Sequence, residues 1–191
     1  MTKNTYETIL QRRSIRRFQQ KPIKLNLLKK MINAARLAPS AANLQPLQFI
    51  IVNEKKQCEQ IFETIGWAGY LPNWTPNKDE QPTAYIIIIS KDTNNKWNIR
   101  DASLASENIV LTAESENIGS CILLNFKKEK IREILKIPKK LEIDSIIALG
   151  YKAEKSIAEN MKDSVKYWKD KKQVLHVPKR KIEDIIHINK F

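Results

Sequence analysis

Glycine is scarce in this chain: only Gly66, Gly69, Gly119 and Gly150 occur among its 191 residues. These four positions build neither GxGxxG nor GxxxxGK[ST], which excludes the Rossmann dinucleotide fingerprint and the P-loop. Any bound phosphate must therefore be held largely by side chains instead of by a glycine-rich nest of backbone N–H groups.

Cysteine and histidine are equally rare, with two of each. Cys58 and Cys121 lie far apart and outside any CxxC pattern, which argues against a disulfide framework and favours a reducing cytosol. Cys58 is predicted to be a core residue and Cys121 a small buried hydrophobe. His176 and His187 lie in a basic arm without a ligand pattern around them, so we expect no metal site and place both at the surface or an interface.

Long hydrophobic runs are also missing. The N-terminus has no apolar signal core, and the longest apolar run, around residues 84–89, is far below the roughly 20 residues that span a bilayer. The sequence therefore predicts a soluble, cytoplasmic protein with no membrane partner. Its length fits one domain over residues 1–191, with a C-terminal arm over residues 174–191.

The chain is strongly basic, with a formal net charge of +13 and a pI of about 9.7. Such a balance is typical of proteins that bind nucleic acid, anionic membranes or phosphorylated ligands. Lysines spread along the whole chain, often opposite Glu in helical stretches, favour a solvated surface instead. The stretch Lys162–Lys172, with Tyr167 and Trp168, could bind single-stranded nucleic acid, but its Asp residues and spacing favour a solvated helix.

Hydrophobic periodicity predicts alternating helices and strands around one sheet, in an α/β or α+β arrangement. The predicted helices include a short one at Tyr6–Leu10, one at Ile23–Ala35 and one capped by Asn53. The others are Ile99–Glu116, whose small residues suggest close packing at a core or dimer interface, and Lys128–Lys136. The predicted strands are Leu47–Val52, Tyr85–Ser90, Cys121–Leu124 and Ile143–Tyr151. Residues 152–173 are predicted to be helix and loop.

The basic segment Arg12–Phe18 carries the first functional signal. In an extended backbone, Arg12, Ser14 and Arg16 share one face because side chains alternate. Two guanidinium groups that flank a hydroxyl can clamp a phosphate dianion through charge-assisted hydrogen bonds. The alternatives are an exposed basic turn or a nucleic-acid contact.

The segment Pro39–Pro46 carries the second signal. Pro39 ends the preceding helix, and the small side chains from Ser40 to Ala42 would let a flat ring approach the backbone. Asn43 and Gln45 each offer a donor and an acceptor, which match the edge of an isoalloxazine ring. The alternative is a helix-to-strand turn in which both amides satisfy local backbone groups.

The pattern RRSIRRF, followed by APSAANLQP and the strand LQFIIV, resembles the FMN-dependent nitroreductase family. Further blocks fit in order along nearly the whole chain: Gly66–Leu71, Pro82–Ile86, the helix beginning at Asp101, Ile118–Cys121, Ala148–Tyr151 and Val177–Arg180. The chain departs from the family pattern at Leu47, often aromatic, at Asn117, often glycine, and at Leu123–Leu124, where a charged residue sometimes lies.

The resemblance implies an α+β fold, a mixed sheet flanked by helices, assembled as an intertwined homodimer with FMN at the interface. It implies that Arg12, Arg13, Ser14 and Arg16 hold the phosphate, ribityl or pyrimidine parts, with Arg180 reaching the phosphate from the C-terminal arm. Pro39, Ser40, Ala41 and Asn43 would come from the second subunit, and Gln45 belongs to the same cofactor segment. Backbone groups of Leu123, Leu124 and Asn125 would lie against the central ring.

The implied activity is that of an NAD(P)H-dependent FMN oxidoreductase that passes a hydride to a small acceptor such as a nitroaromatic or quinone. The sequence leaves two alternatives: a non-enzymatic flavin-binding protein on the same fold, and a basic nucleic-acid-binding protein. It does not name the acceptor or choose between NADH and NADPH. Trp67, Tyr70 and Trp74 are candidates for a flexible lid or, equally, for satellite core aromatics.

Overall fold

A computed structural model describes residues 4–71, 74–91 and 96–191. The glycines and prolines among residues 66–83 predict an irregular stretch there, and one of them, Pro72, lies outside the described residues. The described residues form five α-helices: α1 (Thr5–Gln11), α2 (Leu25–Ala35), α3 (Lys55–Phe62), α4 (Asn98–Ser115) and α5 (Lys128–Leu135). They also form eight strands: β1 (Phe18–Gln19), β2 (Leu47–Val52), β3 (Ala84–Ser90), β4 (Ile118–Leu123), β5 (Glu142–Lys152), β6 (Ser156–Asn160), β7 (Trp168–Lys169) and β8 (Leu175–Lys179).

The long strand β5 lies at the centre of a five-stranded sheet. β4 runs antiparallel along one edge of it and β3 along the other, and β2 pairs with the outer edge of β3. Tyr151 is paired with both Ile118 of β4 and Gln19 of β1. A strand residue has one partner on each edge, so β1 must lie on the edge of β5 opposite to β4. This is the edge that pairs with β3, and β1 lies beyond the end of β3.

A second, three-stranded sheet follows in the order β6-β8-β7. β6 and β8 are parallel, and β7 is antiparallel to β8. A single parallel bridge joins Ser14 to Ser120. The described sheets thus combine antiparallel ladders with these parallel pairings.

The core lies on both faces of the large sheet, and β3 shows why. All seven of its residues are buried, and side chains alternate between the faces of a strand. Tyr85, Ile87 and Ile89 pack in one cluster with residues of α3 and α5, whereas Ile86 and Ile88 pack in the other with residues of α2 and α4. A fully apolar strand of this kind is expected where helices cover both faces.

The small residues of α4 serve the core, one of the two predicted uses. Ala102, Ala105 and Ala113 are fully buried, which lets the helix approach α2 closely. Asn108 on α4 donates from Nδ2 to the carbonyl of Ala34 at 3.0 Å. The segments Arg12–Phe18 and Pro39–Pro46 both contact this long helix.

The helix predicted within residues 152–173 was wrong, whereas the predicted loop is present. The described residues there form strands, bends and turns with no helix, and Lys162–Lys172 is not a solvated helix. Local polarity could not predict this, because β6 is stabilised by parallel pairing with β8, 19 positions later, from Ser156 opposite Leu175 onwards. The cap of α3 was also wrong by one residue, since the Glu54 carboxylate accepts from the N–H groups of Lys56 and Gln57.

Candidate functional site

The arginine segment leaves α1 and runs beside β4 before it enters β1. The N–H of Ile15 donates to the carbonyl of Ser120 at 2.9 Å. Ile15 is 3% exposed and packs in the core. It fixes the segment against the sheet, and alternation directs Ser14 and Arg16 to the opposite side of the backbone from Ile15.

Arg12 and Arg16 make contacts that leave donors available. The Nε of Arg12 lies 3.5 Å from Oε1 of Glu107 on α4. The guanidinium carbon of Arg16 lies 5.1 Å from the centroid of the Tyr167 ring, and its backbone N–H donates to Oε1 of Glu154 at 2.5 Å. A guanidinium has five N–H donors, so both side chains can still bind an anion.

Arg13 and Arg17 are engaged more closely. Arg13 donates to the carbonyls of Leu10, at 2.7 Å, and of Arg12. Burial, and then the charge of Arg12, lower the pKa of Arg13, and its buried Nε has no partner among the described residues. Arg17 pairs with Glu80, whose hydrogen bond raises the pKa of Arg17. The segment thus contains one buried, unpaired cationic donor.

The Pro39–Pro46 segment is held in a strained conformation. It contains a 3-10 turn at Ala41–Asn43, and Ala42 (φ 49°), Asn43 (φ 54°) and Gln45 (φ 49°) are all in the left-handed region. Such a conformation costs of order 1 kcal/mol or more for Ala42 and for Gln45, and less for Asn43 because asparagine tolerates the left-handed region. Strain of this kind persists only where the surrounding structure imposes it, and it clusters at functional sites.

Local hydrogen bonds close this segment. The Ser40 hydroxyl accepts from the N–H of Gln45 at 3.2 Å, and Nε2 of Gln45 donates to the carbonyl of Asn43 at 3.3 Å. The Gln45 amide therefore serves the turn, as the helix-to-strand alternative expects. Pro39 and residues 42–45 are exposed, while Ser40 and Ala41 are half-buried, so most of the segment is open to solvent.

The Arg12–Phe18 and Pro39–Pro46 segments both contact helix α4. Arg12 faces Glu107 of α4, and the N–H of Ala41 donates to Oδ1 of Asp101 at 3.0 Å. Six residues separate these two positions, about 9 Å along the helix axis at 1.5 Å per residue. Within one chain, α4 thus connects the predicted phosphate clamp to the predicted flavin-lining segment.

Leu123 and Leu124 lie at the end of β4 and differ sharply in exposure. Leu123 is 6% exposed and Leu124 is 74% exposed. The next residue, Asn125, accepts from the N–H of Gly66 at 2.9 Å. A Cβ added at Gly66 would lie 2.2 Å from Nδ2 of Asn125, so the loop that begins at Gly66 is packed directly against the end of β4.

Arg180 is not part of this arrangement within the described chain. Its guanidinium donates to the carbonyl of Asp184, four residues later in the C-terminal arm, and among the described residues it makes no hydrogen bond or ion pair with the arginine segment. The prediction that Arg180 reaches the phosphate would therefore require a rearrangement of the arm or a second subunit.

The three aromatic residues proposed for a lid have different environments. Trp67 packs on the core, with its ring centroid 5.6 Å from that of Phe62, which favours the satellite-core interpretation. Tyr70 is exposed, and its ring centroid lies 5.0 Å from that of Tyr167. The Nζ of Lys169 lies 4.5 Å from the centroid of the Trp74 ring.

Sequence reasoning missed three residues that shape this site: Asp101, Glu154 and Tyr167. Glu154 has a side chain that is 1% exposed and lies 3.9 Å from Nζ of Lys169. No motif marks a lone acid in a polar run, so only the folded chain shows that it holds the Arg16 backbone. Asp101 was recognised only as the start of a helix, and Tyr167 only as part of a lysine-rich stretch.

The described ranges, 4–71, 74–91 and 96–191, lack both a membrane-spanning helix and a metal-binding cluster. None of their helices combines the length and hydropathy of a membrane span. They also contain no cluster of three His, Cys, Asp or Glu side chains that could hold a metal ion.

Comparison with known proteins identifies the sequence pattern. Residues 9–151 match the sequence model of the Nitroreductase family. A protein of Archaeoglobus fulgidus named "Putative NADH dehydrogenase/NAD(P)H nitroreductase" is 35% identical over 161 residues, which cover 79% of this chain and 87% of that protein.

Solved structures agree on the fold. A structure named as an FMN-dependent nitroreductase of Clostridium difficile R20291 has a TM-score of 0.73 at 27% identity, covering 96% of this chain and 98% of that chain. A nitroreductase family protein of Clostridium novyi NT has a TM-score of 0.67 at 29% identity, covering 78% and 87% respectively. The family and the α+β fold class predicted from the sequence are confirmed.

Proposed function

The chain belongs to the nitroreductase family, and we propose that it is an FMN-dependent oxidoreductase. It would pass a hydride from NAD(P)H through bound FMN to a small acceptor such as a nitroaromatic or quinone. One observation carries the proposal: Arg12 and Arg16 keep guanidinium donors available in the same segment as the buried Nε of Arg13, which has no partner among the described residues.

The residues present fit this cofactor. Arg12 and Arg16 offer guanidinium donors suited to a phosphate dianion, and the buried Nε of Arg13 is a donor without a partner among the described residues. The small side chains from Ser40 to Ala42 leave the backbone accessible to a flat ring. When bound, FMN supplies the hydride chemistry, and the protein supplies binding, orientation and electrostatics.

The roles of the chain's residues follow from their chemistry. Arg12, Ser14 and Arg16 would bind the phosphate, and Arg13 would add positive charge beside it. These charges would also stabilise negative charge on the bound group. The residues that would line the ring are Pro39, Ser40, Ala41, Asn43 and Gln45, with backbone groups of Leu123 and Leu124 beside its centre.

We propose that the site is completed in a homodimer. On α1, Tyr6 is 68% exposed, and Ile9 and Leu10 are also exposed. In the C-terminal arm the exposed apolar residues are Ile182, Ile185, Ile186, Ile188 and Phe191. Several exposed apolar side chains on one segment favour an interaction surface. A second subunit would cover it, and would bring segment 39–46 and the Arg180 arm to the clamp of the first.

Visible spectroscopy of the purified protein tests the cofactor. We expect a flavin spectrum, release of FMN on heating, and anaerobic reduction by NADH or NADPH followed by oxidation by a quinone or nitroaromatic. Bound FMN without NAD(P)H turnover would support a non-enzymatic flavin-binding protein. A colourless protein that takes up no added FMN would contradict the proposal, and steeply salt-dependent nucleic-acid binding would then favour the basic-surface alternative.

The clamp is tested by Arg16→Ala. Loss of charged hydrogen bonds to the phosphate should weaken FMN binding roughly 10- to 100-fold. Lys139→Ala, which removes one exposed positive charge elsewhere on the surface, is the matched control and should leave the affinity unchanged. Equal affinities in wild type and Arg16→Ala would place the phosphate elsewhere.

A further inference from the structure

The strain in segment 39–46 requires an external restraint. Ala42, Asn43 and Gln45 take left-handed backbone conformations within four positions, and none of them is glycine. The hydrogen bonds that Gln45 donates to Ser40 and to Asn43 lie within the segment itself. They close the turn but do not fix it relative to the rest of the molecule.

Asp101 connects this turn to helix α4. Its Oδ1 accepts from the N–H of Ala41 at 3.0 Å, at the first residue of the 3-10 turn. The side chain is buried, with the residue 3% exposed. It lies in the first turn of α4, where the positive end of the helix dipole favours a carboxylate.

The Asp101 carboxylate is otherwise unusual for a structural residue. Its Oδ2 is buried and has no hydrogen-bond partner among the described residues. Burial of a half-satisfied carboxylate is unfavourable, so we expect its bond to Ala41 to have a compensating role. Asp101 also lines a cleft of about 150 Å³ together with Ser40 and Gln45.

We propose that Asp101 is a positioning residue for the cofactor site. By holding Ala41 it fixes the strained turn on α4, so that the small side chains of the segment stand in the orientation that lines the flavin ring. This inference rests on the proposed function for its effect on flavin, but the restraint on the turn is a property of the chain alone. Asp101 does not itself contact the reacting atoms.

Flavin binding in two variants tests the proposal. Asp101→Ala removes the acceptor and should weaken FMN binding roughly 10- to 100-fold, with a changed visible circular dichroism of the flavin that remains bound. Asp101→Asn keeps an acceptor oxygen for Ala41 and should restore most of the affinity and the spectrum. Ile109→Val, a core change on the same helix, is the control for general destabilisation and should leave flavin affinity unchanged.

Hydrogen exchange at the Ala41 amide provides a readout independent of flavin. We expect protection in the wild type and in Asp101→Asn, and faster exchange in Asp101→Ala. Wild-type FMN affinity in folded Asp101→Ala, or an Asp101→Asn variant as weak as Asp101→Ala, would overturn the proposal. If Asp101→Ala does not fold, an unprotected Ala41 amide in the wild type would overturn it. Failure of the wild type to bind FMN would instead overturn the proposed function.

Discussion

Tyr167 contacts Tyr70 twice: its hydroxyl accepts from the Tyr70 N–H at 3.2 Å, and the two ring centroids are 5.0 Å apart. The same ring lies beneath the Arg16 guanidinium. One residue of the C-terminal region therefore contacts both the loop that begins at Gly66 and the predicted phosphate clamp. Lys169 makes a parallel connection, since it lies over Trp74 and near Glu154, which holds the Arg16 backbone.

We predict that Tyr167→Phe and Tyr167→Ala separate these two contacts. The phenyl ring keeps the stacking with Arg16 but loses the bond to Tyr70, so Tyr167→Phe should leave FMN affinity within about twofold and speed proteolysis of the loop. Tyr167→Ala should also weaken FMN binding, by about 2- to 5-fold, because a cation–π contact is worth about 0.5–1 kcal/mol at exposed sites.

FMN titration and limited proteolysis of residues 66–71 measure the two effects. Val165→Ala, an exposed change nearby, is the control for nonspecific loosening of the region. An equal loss of FMN affinity in both Tyr167 variants would mean that the hydroxyl, and not the ring, supports Arg16.

Gly150 is predicted to be intolerant of any side chain. In the centre of the sheet, a Cβ at this position would lie 2.7 Å from Cβ and Cδ1 of Phe18, which is fully buried. Neither residue can move freely, so Gly150→Ala should lower the free energy of unfolding by about 1–3 kcal/mol. The corresponding fall in Tm, measured by calorimetry, should be several degrees.

Gly69 offers a matched control for that substitution. A Cβ there would meet nothing within 4 Å, and its φ is not in the left-handed region. Gly69→Ala should therefore change the free energy of unfolding by no more than about 0.5–1 kcal/mol, with stabilisation possible through the unfolded chain. Equal effects at Gly69 and Gly150 would contradict the packing argument.

Both thiols are predicted to be inert in the folded protein. Burial raises the pKa of Cys58 to about 12. Burial also raises the pKa of Cys121, against the opposing charge of Arg16. Because the thiolate is the reactive form, a chromogenic disulfide reagent at pH 7.5 should modify neither residue rapidly in the native protein and both after denaturation. Fast native labelling of Cys121 would indicate that the region around Ser14 opens in solution.

The sequence predicted those parts of the fold that depend on local patterns. The five described helices and the strands β2, β3, β4 and β5 appear where periodicity placed them, with ends shifted by up to three residues. Asn117, at the position where the family often has glycine, has a φ of 57°. An αL position at the end of a helix is one that asparagine tolerates well.

The sequence failed where stability comes from distant partners. β6 and β8 are joined by pairing between remote segments, which no local signal reports. Within the site, motif spacing indicated the arginine and small-residue segments but not Asp101, Glu154 or Tyr167, because each of these contacts a residue more than fifty positions away in the sequence. Such contacts can be identified only after the chain has folded.

His176 gives the C-terminal sheet a predicted pH dependence. Nδ1 of His176 lies 2.7 Å from Glu159 on β6, Nε2 lies 3.4 Å from Asp170, and the ring stacks on Trp168. The hydrogen bond with Glu159, and then that with Asp170, raise the pKa of His176 above its ordinary value. The bond to His176 lowers the pKa of Glu159, and the Val174 N–H, followed by His176, lowers that of Asp170.

The direction of the pH effect follows from these shifts. A raised histidine pKa stabilises the folded state below about pH 6.5, and that stabilisation is lost as the pH rises through the folded pKa. The lowered pKa values of Glu159 and Asp170 stabilise the folded state above about pH 4, and that stabilisation is lost as the pH falls. Protection of the β6 and β8 amides from hydrogen exchange, corrected for intrinsic rates, should therefore be greatest at about pH 5–6 and decline above neutrality.

His176→Gln should flatten the alkaline side of this profile, because the neutral amide cannot gain a proton from solution. His187→Gln removes the other histidine, which stacks on Phe191, and should leave the profile unchanged. A wild-type profile that stays level from pH 5 to pH 9, or one that persists in His176→Gln, would show that the contacts with Glu159 and Asp170 do not control the sheet. Arg180 follows β8 directly. A change in FMN affinity over the same pH range would indicate that the C-terminal arm also positions Arg180.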